Sequence, residues 1–304
     1  MSRTVFLGTS DFAATVLRRL ADSPHRPRLV VTPPDRPRGR GRRTLPQPAA
    51  AAARDLGLEL LQAENVNEPA ALGAIRECSP EVATVCAFGQ LIREPLLSEL
   101  PLLNVHPSLL PRWRGAAPIE RAIMVGDERT GVSVMRVTAG LDSGPVALQR
   151  GEAIAPQDDF GSLHDRLAAL GGDLLLRALD LAAKDKLELT EQDEDGATYA
   201  DKIEAGERRL DPNRPAAELE RTVRALTPHI GAYLELEGGG RLGVRSARAE
   251  KRNPDPGRLA VEAGALWLGT SEGALRLDVV QPEGGRPMPA DAYLRGHTAP
   301  DRAV

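Results

Sequence analysis

The sequence contains little cysteine, which limits the sites and compartments it fits. Only two cysteines occur in 304 residues, Cys78 and Cys86. Two are too few for a disulfide framework, and no group of Cys and His residues has the spacing of a metal site. We therefore expect both thiols to be reduced, small side chains in or near the core. The same pattern predicts a reducing compartment and no bound metal.

Long hydrophobic runs are also missing. Charged residues or prolines interrupt each apolar run well before the length that spans a bilayer. We expect no basic and then apolar leader, because Asp11 follows soon after Met1. Its hydrophobic content of 41% is ordinary for a folded protein. We expect a cytoplasmic monomer with no membrane partner.

An excess of positive charge is the third absence. The net charge of −4 excludes general binding to nucleic acid through overall charge. The first 188 residues are balanced in charge and the remainder is net acidic, so any site for a polyanion must be local. One short stretch rich in proline and glycine, which we call the arginine loop, concentrates five basic residues: Arg36, Arg38, Arg40, Arg42 and Arg43. We predict that residues 33–46 form an exposed, irregular loop.

The first half of the chain alternates short apolar runs with amphipathic segments, which is typical of an α/β fold with a Rossmann-like parallel sheet and helices on both faces. The predicted strands are residues 4–8, 28–32, a short one near Leu58, 81–87 and 102–105. The predicted helices are one that Asp11 caps, then residues 47–56, 69–77 and 161–186.

The second half has a different pattern. A polar stretch over residues 191–206 precedes a helix at 215–226. Short apolar runs separated by glycines then predict a small β-barrel of the OB type. We divide the chain into an α/β domain (1–188), a linker (189–207) and a C-terminal barrel (208–304).

Three residues are candidates for chemistry. Asn104 and His106 stand two apart where a strand ends, so their side chains share one face at the carboxyl edge of the sheet, where ligands bind. Asn104 can instead close a turn, and His106 can satisfy a backbone carbonyl. Asp142, in Leu141-Asp142-Ser143-Gly144, can be an ordinary turn residue or can orient a nearby histidine and stabilise its charge.

Long motifs carry a resemblance to a known family. FLGTSDFA (residues 6–13), NVHPSLLPRWRGAAP (104–118) and GLDSG (140–144) together resemble the 10-formyltetrahydrofolate-dependent formyltransferases. PDRPRGRG (34–41) and QPEG (281–284) are similar to the members of that family that act on charged initiator tRNA. The resemblance extends over essentially the full length of the chain.

The resemblance implies formyl transfer from 10-formyltetrahydrofolate, a co-substrate, to the amino group of methionine on charged initiator tRNA, for translation initiation. It implies that Asn104, His106 and Asp142 are catalytic and that the arginine loop contacts the acceptor end of the tRNA. It also implies that two apolar loops hold the reduced folate: Ser108, Leu109, Leu110 and Pro111, and Phe88, Gly89, Gln90, Leu91 and Ile92. An imidazole can take the proton of the attacking amine, and an amide can donate to the developing oxyanion.

The C-terminal part departs from the family pattern. It is net acidic, His229 follows Pro228 where the family has an aromatic residue, and Gly285 replaces a lysine. A basic surface there would consist of five residues: Arg241, Arg245, Arg248, Lys251 and Arg252.

Three other functions remain open. Formyl transfer to a small amine, such as an amino sugar nucleotide, needs the same three catalytic residues but does not explain the arginine loop. A nicotinamide-dependent oxidoreductase fits the first strand, but the turn at Gly8 lacks the G-x-G-x-x-G phosphate cradle. A non-catalytic RNA-binding module leaves residues 104–118 without a role.

Overall fold

The computed structural model describes residues 2–38 and 43–304, with the backbone alone at 36–38 and 43–44. The chain forms two compact units. The first contains residues 1–115, 130–153 and 164–199, and the second contains residues 116–129, 154–163 and 200–304. The domain limits drawn from the sequence, at 188 and 208, remain a prediction.

The strands in chain order are β1 (Thr4–Gly8), β2 (Pro27–Thr32), β3 (Arg36–Arg38), β4 (Arg43–Leu45), β5 (Leu60–Gln62), β6 (Val82–Cys86), β7 (Leu102–His106), β8 (Arg114–Gly115), β9 (Arg129–Arg136), β10 (Val146–Ala153), β11 (Tyr199–Ala200), β12 (Ala232–Glu235), β13 (Arg241–Glu250), β14 (Leu259–Glu262), β15 (Ala265–Gly269), β16 (Ala274–Pro282) and β17 (Met288–Pro289). The α-helices are α1 (Asp11–Ala21), α2 (Pro48–Asp55), α3 (Pro69–Glu77), α4 (Leu96–Glu99), α5 (Pro118–Val125), α6 (Phe160–Ala182), α7 (Ala216–Leu226) and α8 (Ala290–Gly296). Two single-turn 3-10 helices cover Glu194–Gly196 and Gly206–Arg208.

A seven-stranded sheet forms the centre of the first unit. Its strand order is β10-β9-β7-β6-β1-β2-β5. The strands β7, β6, β1, β2 and β5 pair in parallel, as the alternating pattern predicted, whereas β9 is antiparallel to β7. The sequence analysis missed β9 and β10. Every residue of β1 and of β6 is buried, as in a parallel sheet that is covered on both faces.

Helices cover both faces of this sheet. On one face Leu7 and Leu102 pack in a cluster with Leu72 of α3 and Leu96 of α4. On the other face α6 approaches β7 so closely that a Cβ atom at Gly171 would lie 2.8 Å from Val105. Because side chains alternate along β7, Asn104 and His106 belong to the face of Leu102.

The first helix begins as predicted, but its cap is a different residue. The Ser10 hydroxyl accepts a hydrogen bond from the Ala13 amide, while Asp11 is already the first helical residue. Ser10 has the extended backbone that a cap requires, and Asp11 in the first turn meets the positive end of the helix dipole. The prediction that Asp11 caps the helix is therefore wrong by one residue.

Residues 33–46 are more regular than predicted. Strands β3 and β4 pair in antiparallel fashion, with Arg36 opposite Leu45 and Arg38 opposite Arg43. The prediction of a wholly irregular loop is wrong for these flanks, because the prolines leave enough backbone donors and acceptors for a short ladder. Arg40 and Arg42, with the two glycines beside them, lie outside the described residues.

The second unit contains an antiparallel sheet in the order β12-β13-β16-β15-β14, with β17 paired to β16. The last residues of the chain join its two edges. Ala303 bridges to Leu236 directly after β12, and Arg302 bridges to Arg258 directly before β14. This closure agrees with the predicted β-barrel, whose core is formed by leucine, valine and alanine side chains from its strands and from α7.

Both cysteines are free thiols, as predicted. Cys86 is buried in β6, and burial raises the pKa of its thiol. In the described ranges, 2–38 and 43–304, the helices are too short or too polar to cross a membrane. Nor do three His, Cys, Asp or Glu side chains within those ranges gather as a metal site would require.

Candidate active site

The candidate site begins at the carboxyl end of β7. In this strand Asn104 pairs with Val85 of β6 on one side and with Met135 of β9 on the other. The interpretation of Asn104 as a turn residue is therefore wrong. Its side chain is partly exposed, and it has no hydrogen-bond partner among the residues that the structure describes. The amide is thus available to a ligand.

His106 is the last residue of β7 and is buried, with 4% of its surface exposed. Its Nε2 atom lies 2.8 Å from the carbonyl oxygen of Trp113. A carbonyl oxygen only accepts, so Nε2 carries a proton and donates it. The sequence-based alternative, in which His106 satisfies a backbone carbonyl, accounts for the contact of Nε2 but not for that of Nδ1. The second nitrogen, Nδ1, faces Asp142.

Asp142 is brought to His106 by a loop that follows β9. Its Oδ2 atom lies 3.6 Å from His106 Nδ1 and accepts a 2.9 Å hydrogen bond from the Gly115 amide. Its backbone is left-handed, with φ of 44°. The distance of 3.6 Å is longer than a hydrogen bond. A nitrogen or a water placed about 3 Å from both atoms could bond to both, which is the reach that proton transfer requires.

The segment that follows β7 is braced from within. The Ser133 hydroxyl donates to the Ser108 carbonyl at 2.6 Å and accepts from the Leu110 amide at 3.1 Å. Gln149 donates to the Leu110 carbonyl at 2.7 Å. Ser108 and Leu110 are buried, whereas Leu109 and Pro111 are partly exposed. Of the four residues predicted to hold folate here, Leu109 and Pro111 are therefore the ones that a ligand can reach.

The second predicted folate loop follows β6 and, like the first, consists partly of buried and partly of accessible residues. Phe88 and Ile92 are buried and pack into the core, while Leu91 is 62% exposed. The Gln90 side chain is used internally, because it accepts from the Val66 amide at 2.7 Å and donates to the Ala63 carbonyl at 2.9 Å. Gly89 is exposed and has φ of 77°. The loop is therefore held rigidly and presents one apolar side chain.

Comparison with known proteins decides the family. The family described as Formyl transferase matches residues 2–179, and its C-terminal domain matches residues 202–298. The chain belongs to the formyltransferase family. It is similar to a methionyl-tRNA formyltransferase of Halorhodospira halophila (43% identity over 97% of this chain and 96% of the relative) and to one of Methylobacterium sp. strain 4-46 (44%, with the same shares).

Solved structures of lower identity share the fold of this formyltransferase. HypX from Aquifex aeolicus in complex with tetrahydrofolic acid aligns with a TM-score of 0.67 at 19% identity, over 96% of this chain and 47% of HypX. The sugar 3N-formyl transferase WlaRD aligns with a TM-score of 0.66 at 13% identity, over 91% of this chain and 97% of WlaRD. These likenesses agree with the α/β architecture expected from the sequence.

The base of the arginine loop is fixed by Asp35. Its carboxylate accepts hydrogen bonds from Gln62 at 2.7 Å and from Arg54 at 3.1 Å. Partial burial raises the pKa of Asp35, but these hydrogen bonds outweigh it, so the pKa lies below its usual value. Arg40 and Arg42 lie outside the described residues, as do the side chains of the other three arginines of the loop.

Three of the five residues of the predicted basic surface on the barrel are paired with carboxylates. Arg241 lies 3.4 Å from Glu235, Arg248 lies 3.0 Å from Asp278, and Arg252 pairs with Glu262. Arg245 donates to the Gln281 side chain, and burial lowers its pKa. These pairs agree with the net acidic composition of this part of the chain.

A further surface surrounds Tyr233 in β12, and Arg241 is the member of it that the sequence already indicated. The guanidinium of Arg241 lies 4.4 Å from the centre of its ring, and that of Arg208 lies 5.9 Å from it. Arg209 stands next to Arg208 and lies 3.7 Å from Glu235. Arg208 and Arg209 precede Tyr233 by more than 20 residues, so no local motif joins them to it.

Another group was missed beside Asp142 itself. Gln192 donates to the backbone carbonyls of Asp142 and Gly144, and Arg114 donates to Gln192. The polar stretch from residue 191 was expected to be a linker because it has few apolar residues. A polar stretch looks the same in sequence whether its side chains form hydrogen bonds with water or with other parts of the protein.

Proposed function

We propose that this formyltransferase transfers a formyl group from 10-formyltetrahydrofolate to the amino group of methionine on charged initiator tRNA. The observation that carries the proposal is the identity of 40–44% to methionyl-tRNA formyltransferases along nearly the whole chain, including both family domains. Sugar formyltransferases align at only 12–22% identity. Formyl transfer to a small amine is therefore not favoured.

The acceptor can be tested directly. The protein is incubated with the 10-formyl folate donor and with methionyl initiator tRNA, free methionine or an amino sugar nucleotide. We expect formyl-methionine to appear on the tRNA and the other two acceptors to remain unchanged. Formylation of the amino sugar alone would replace the proposed acceptor with a small amine.

Asn104 would stabilise the reaction at the formyl oxygen. The bound folate supplies an electrophilic formyl carbon. When the amine attacks, negative charge develops on the formyl oxygen, and a preorganised N–H stabilises it. The Asn104 amide suits this role because it is partly exposed at the edge of the sheet. It is also neutral at every pH of interest.

His106 and Asp142 would move the proton. The attacking amine must lose a proton as its nitrogen bonds to the formyl carbon, and the folate nitrogen must gain one as it leaves. An amine about 3 Å from both His106 Nδ1 and Asp142 Oδ2 could pass its proton to the pair, which would return it to the departing nitrogen. Asp142 also stabilises the positive charge that His106 carries between these two steps.

The folate would lie against the two loops already described. A flat pterin ring needs an apolar slot with a few backbone donors and acceptors. Leu91, Leu109 and Pro111 are the apolar side chains that those loops leave accessible, and Gly89 exposes backbone beside them. We assign the nine residues of the two loops, 88–92 and 108–111, to the folate site on this basis.

Folate should bind without tRNA. At a tetrahydrofolate concentration of about 100 times Kd, binding to the native state adds about 2.7 kcal/mol to the free energy of unfolding and raises the melting temperature. The variant Leu91→Asp should require a higher folate concentration for the same shift, since it places a charge in the apolar slot. Leu189→Asp changes a leucine outside the loops that is 40% exposed, and it serves as the control.

Binding of NADH without any response to folate would contradict the donor site. It would favour the oxidoreductase alternative instead.

The tRNA would be recognised by local positive charge, because the whole chain is net acidic. We assign the arginine loop (Arg36, Arg38, Arg40, Arg42 and Arg43) to the acceptor end of the tRNA. Like charges crowded in one loop repel each other unless a polyanion binds them. On the barrel, the Tyr233 ring provides a stacking surface, and Arg208, which donates to the backbone carbonyls of Ile230 and Gly231, provides adjacent positive charge. Residues 1–188 would thus catalyse and 208–304 would hold the tRNA.

Arg40→Ala should weaken tRNA binding and reduce its dependence on salt. Each phosphate contact contributes about 0.7 to 0.9 to the slope of log affinity against log salt. Loss of one contact should flatten the slope by about that amount. The measurement is a titration of tRNA binding at several salt concentrations. Arg18→Ala is the control, because it removes an exposed arginine of α1 that pairs with Asp55 of α2. An unchanged slope and affinity for Arg40→Ala would remove the loop from the tRNA site.

A further inference from the structure

The position of the Asp142 carboxylate depends on how its loop is held. Asp142 has a left-handed backbone, and its carboxylate receives a hydrogen bond from the Gly115 amide. Its neighbour Gly144 fits only because it lacks a side chain, since a Cβ atom there would lie 2.0 Å from the Arg136 carbonyl oxygen. The loop therefore needs contacts that keep its backbone in one place.

Gln192 supplies two of these contacts through one atom. Its Nε2 atom donates to the Asp142 carbonyl at 2.8 Å and to the Gly144 carbonyl at 2.7 Å. Both protons of the amide are thus used on the residues that flank Ser143. An amide with two donors suits this position, whereas an acidic or aliphatic side chain has no donor to offer.

Arg114 fixes the orientation of the Gln192 amide. The Arg114 Nε atom donates to Gln192 Oε1 at 3.0 Å, so the amide cannot flip without losing that bond. Arg114 is itself only 2% exposed, and its two Nη atoms donate to Glu194 at 2.9 and 2.8 Å. Such a paired, bidentate guanidinium is a rigid support.

The contacts form a closed circuit. Arg114 holds Gln192, Gln192 holds the backbone of Asp142, and the amide of Gly115, which follows Arg114, holds the Asp142 carboxylate. The segment that precedes Gln192 is also held in place, because Thr190 exchanges two backbone hydrogen bonds with Val146.

We propose that Gln192 is a positioning residue for Asp142. By holding the backbone of Asp142, it keeps the carboxylate where both it and His106 Nδ1 can reach the proton of the attacking amine. This inference rests on the proposed catalytic role of Asp142. Gln192 does not touch the reacting atoms, so its loss should lower turnover without changing the binding of either substrate. A displacement of about 1 Å in a catalytic group can reduce the rate about 100-fold.

The test measures kcat and KM for Gln192→Met, which keeps the volume of the side chain but has no donor. We expect kcat to fall about 10- to 100-fold. The KM for folate and the KM for charged tRNA should each change by less than about twofold. The melting temperature of each variant is measured as well. Gln192→Glu, which keeps the bond to Arg114 but opposes two carbonyl oxygens with a carboxylate, should lose at least as much. Gln157→Ala, at an exposed glutamine outside this circuit, should keep the parent kcat.

A double-mutant cycle separates positioning from general stability. If Gln192 acts through the carboxylate, Gln192→Met should lower kcat in the parent protein and should have no further effect in an Asp142→Asn background. A multiplicative loss in the double variant, or a parent-like kcat for either Gln192 variant while Asp142→Asn is impaired, would overturn this inference alone. A parent-like kcat for Asp142→Asn would overturn the proposed role of Asp142 and this inference together.

Discussion

Replacing Asp142 by asparagine should lower turnover by about 10²–10⁴, the usual scale for losing a positioned acid or base. The asparagine has the same shape and can still accept the hydrogen bond from the Gly115 amide. It cannot stabilise the protonated imidazole of His106 or accept the proton of the amine. His106→Ala should fall in the same range, since it removes the group that transfers the proton.

The measurement is kcat with saturating donor and charged tRNA, together with circular dichroism to establish that the variants are folded. The control is His164→Ala, at a histidine outside the candidate site whose Nδ1 atom pairs with Asp165. It should keep the parent turnover within a few fold. A well-folded Asp142→Asn protein with parent-like turnover would contradict the proposed mechanism.

Gly144→Ala should lower turnover by about 100-fold although it adds only a methyl group near the site. The new Cβ atom would lie 2.0 Å from the Arg136 carbonyl oxygen and 3.0 Å from a methyl carbon of Thr138. The first of these atoms belongs to the backbone of β9, so it cannot rotate away as a side chain would. The loop must shift instead, and it carries Asp142 with it.

Gly73→Ala provides the matched control. Gly73 lies in α3, and a Cβ atom there would have no other atom within 4 Å. Because alanine favours the helix over glycine, this variant should keep its turnover and gain a little stability. Comparing kcat and melting temperature of the two variants separates displacement of the loop from loss of the fold. Equal turnover of Gly144→Ala and the parent would show that the loop tolerates the shift.

Local pattern was enough to predict the part of the site that lies on β7. Asn104 and His106 are two residues apart, and the period of a strand places them on one face wherever that strand lies in the sheet. The same local rules predicted the parallel strands and most of the helices. They did not predict β9 and β10, because these two strands follow one another with no helix between them and so depart from the alternating pattern.

The cap of α1 illustrates the limit of such rules. Ser10 and Asp11 are both good capping residues in sequence, and they differ only in where the backbone turns from extended to helical. The ladder between β3 and β4 is a second example. Prolines favoured an irregular loop there, but the remaining amides found partners across the turn.

What the sequence by itself determined was the family, the order of the two folds and the identity of the catalytic candidates, because these depend on long motifs and local periodicity. What only the tertiary structure decided was how Asp142 reaches His106 and what holds it there. Gln192 lies 50 residues from Asp142 and 78 from Arg114 along the chain. Its polar neighbours gave no apolar period from which to infer a packed position. Hydrogen bonds between such distant groups depend on three-dimensional proximity, which no local pattern encodes.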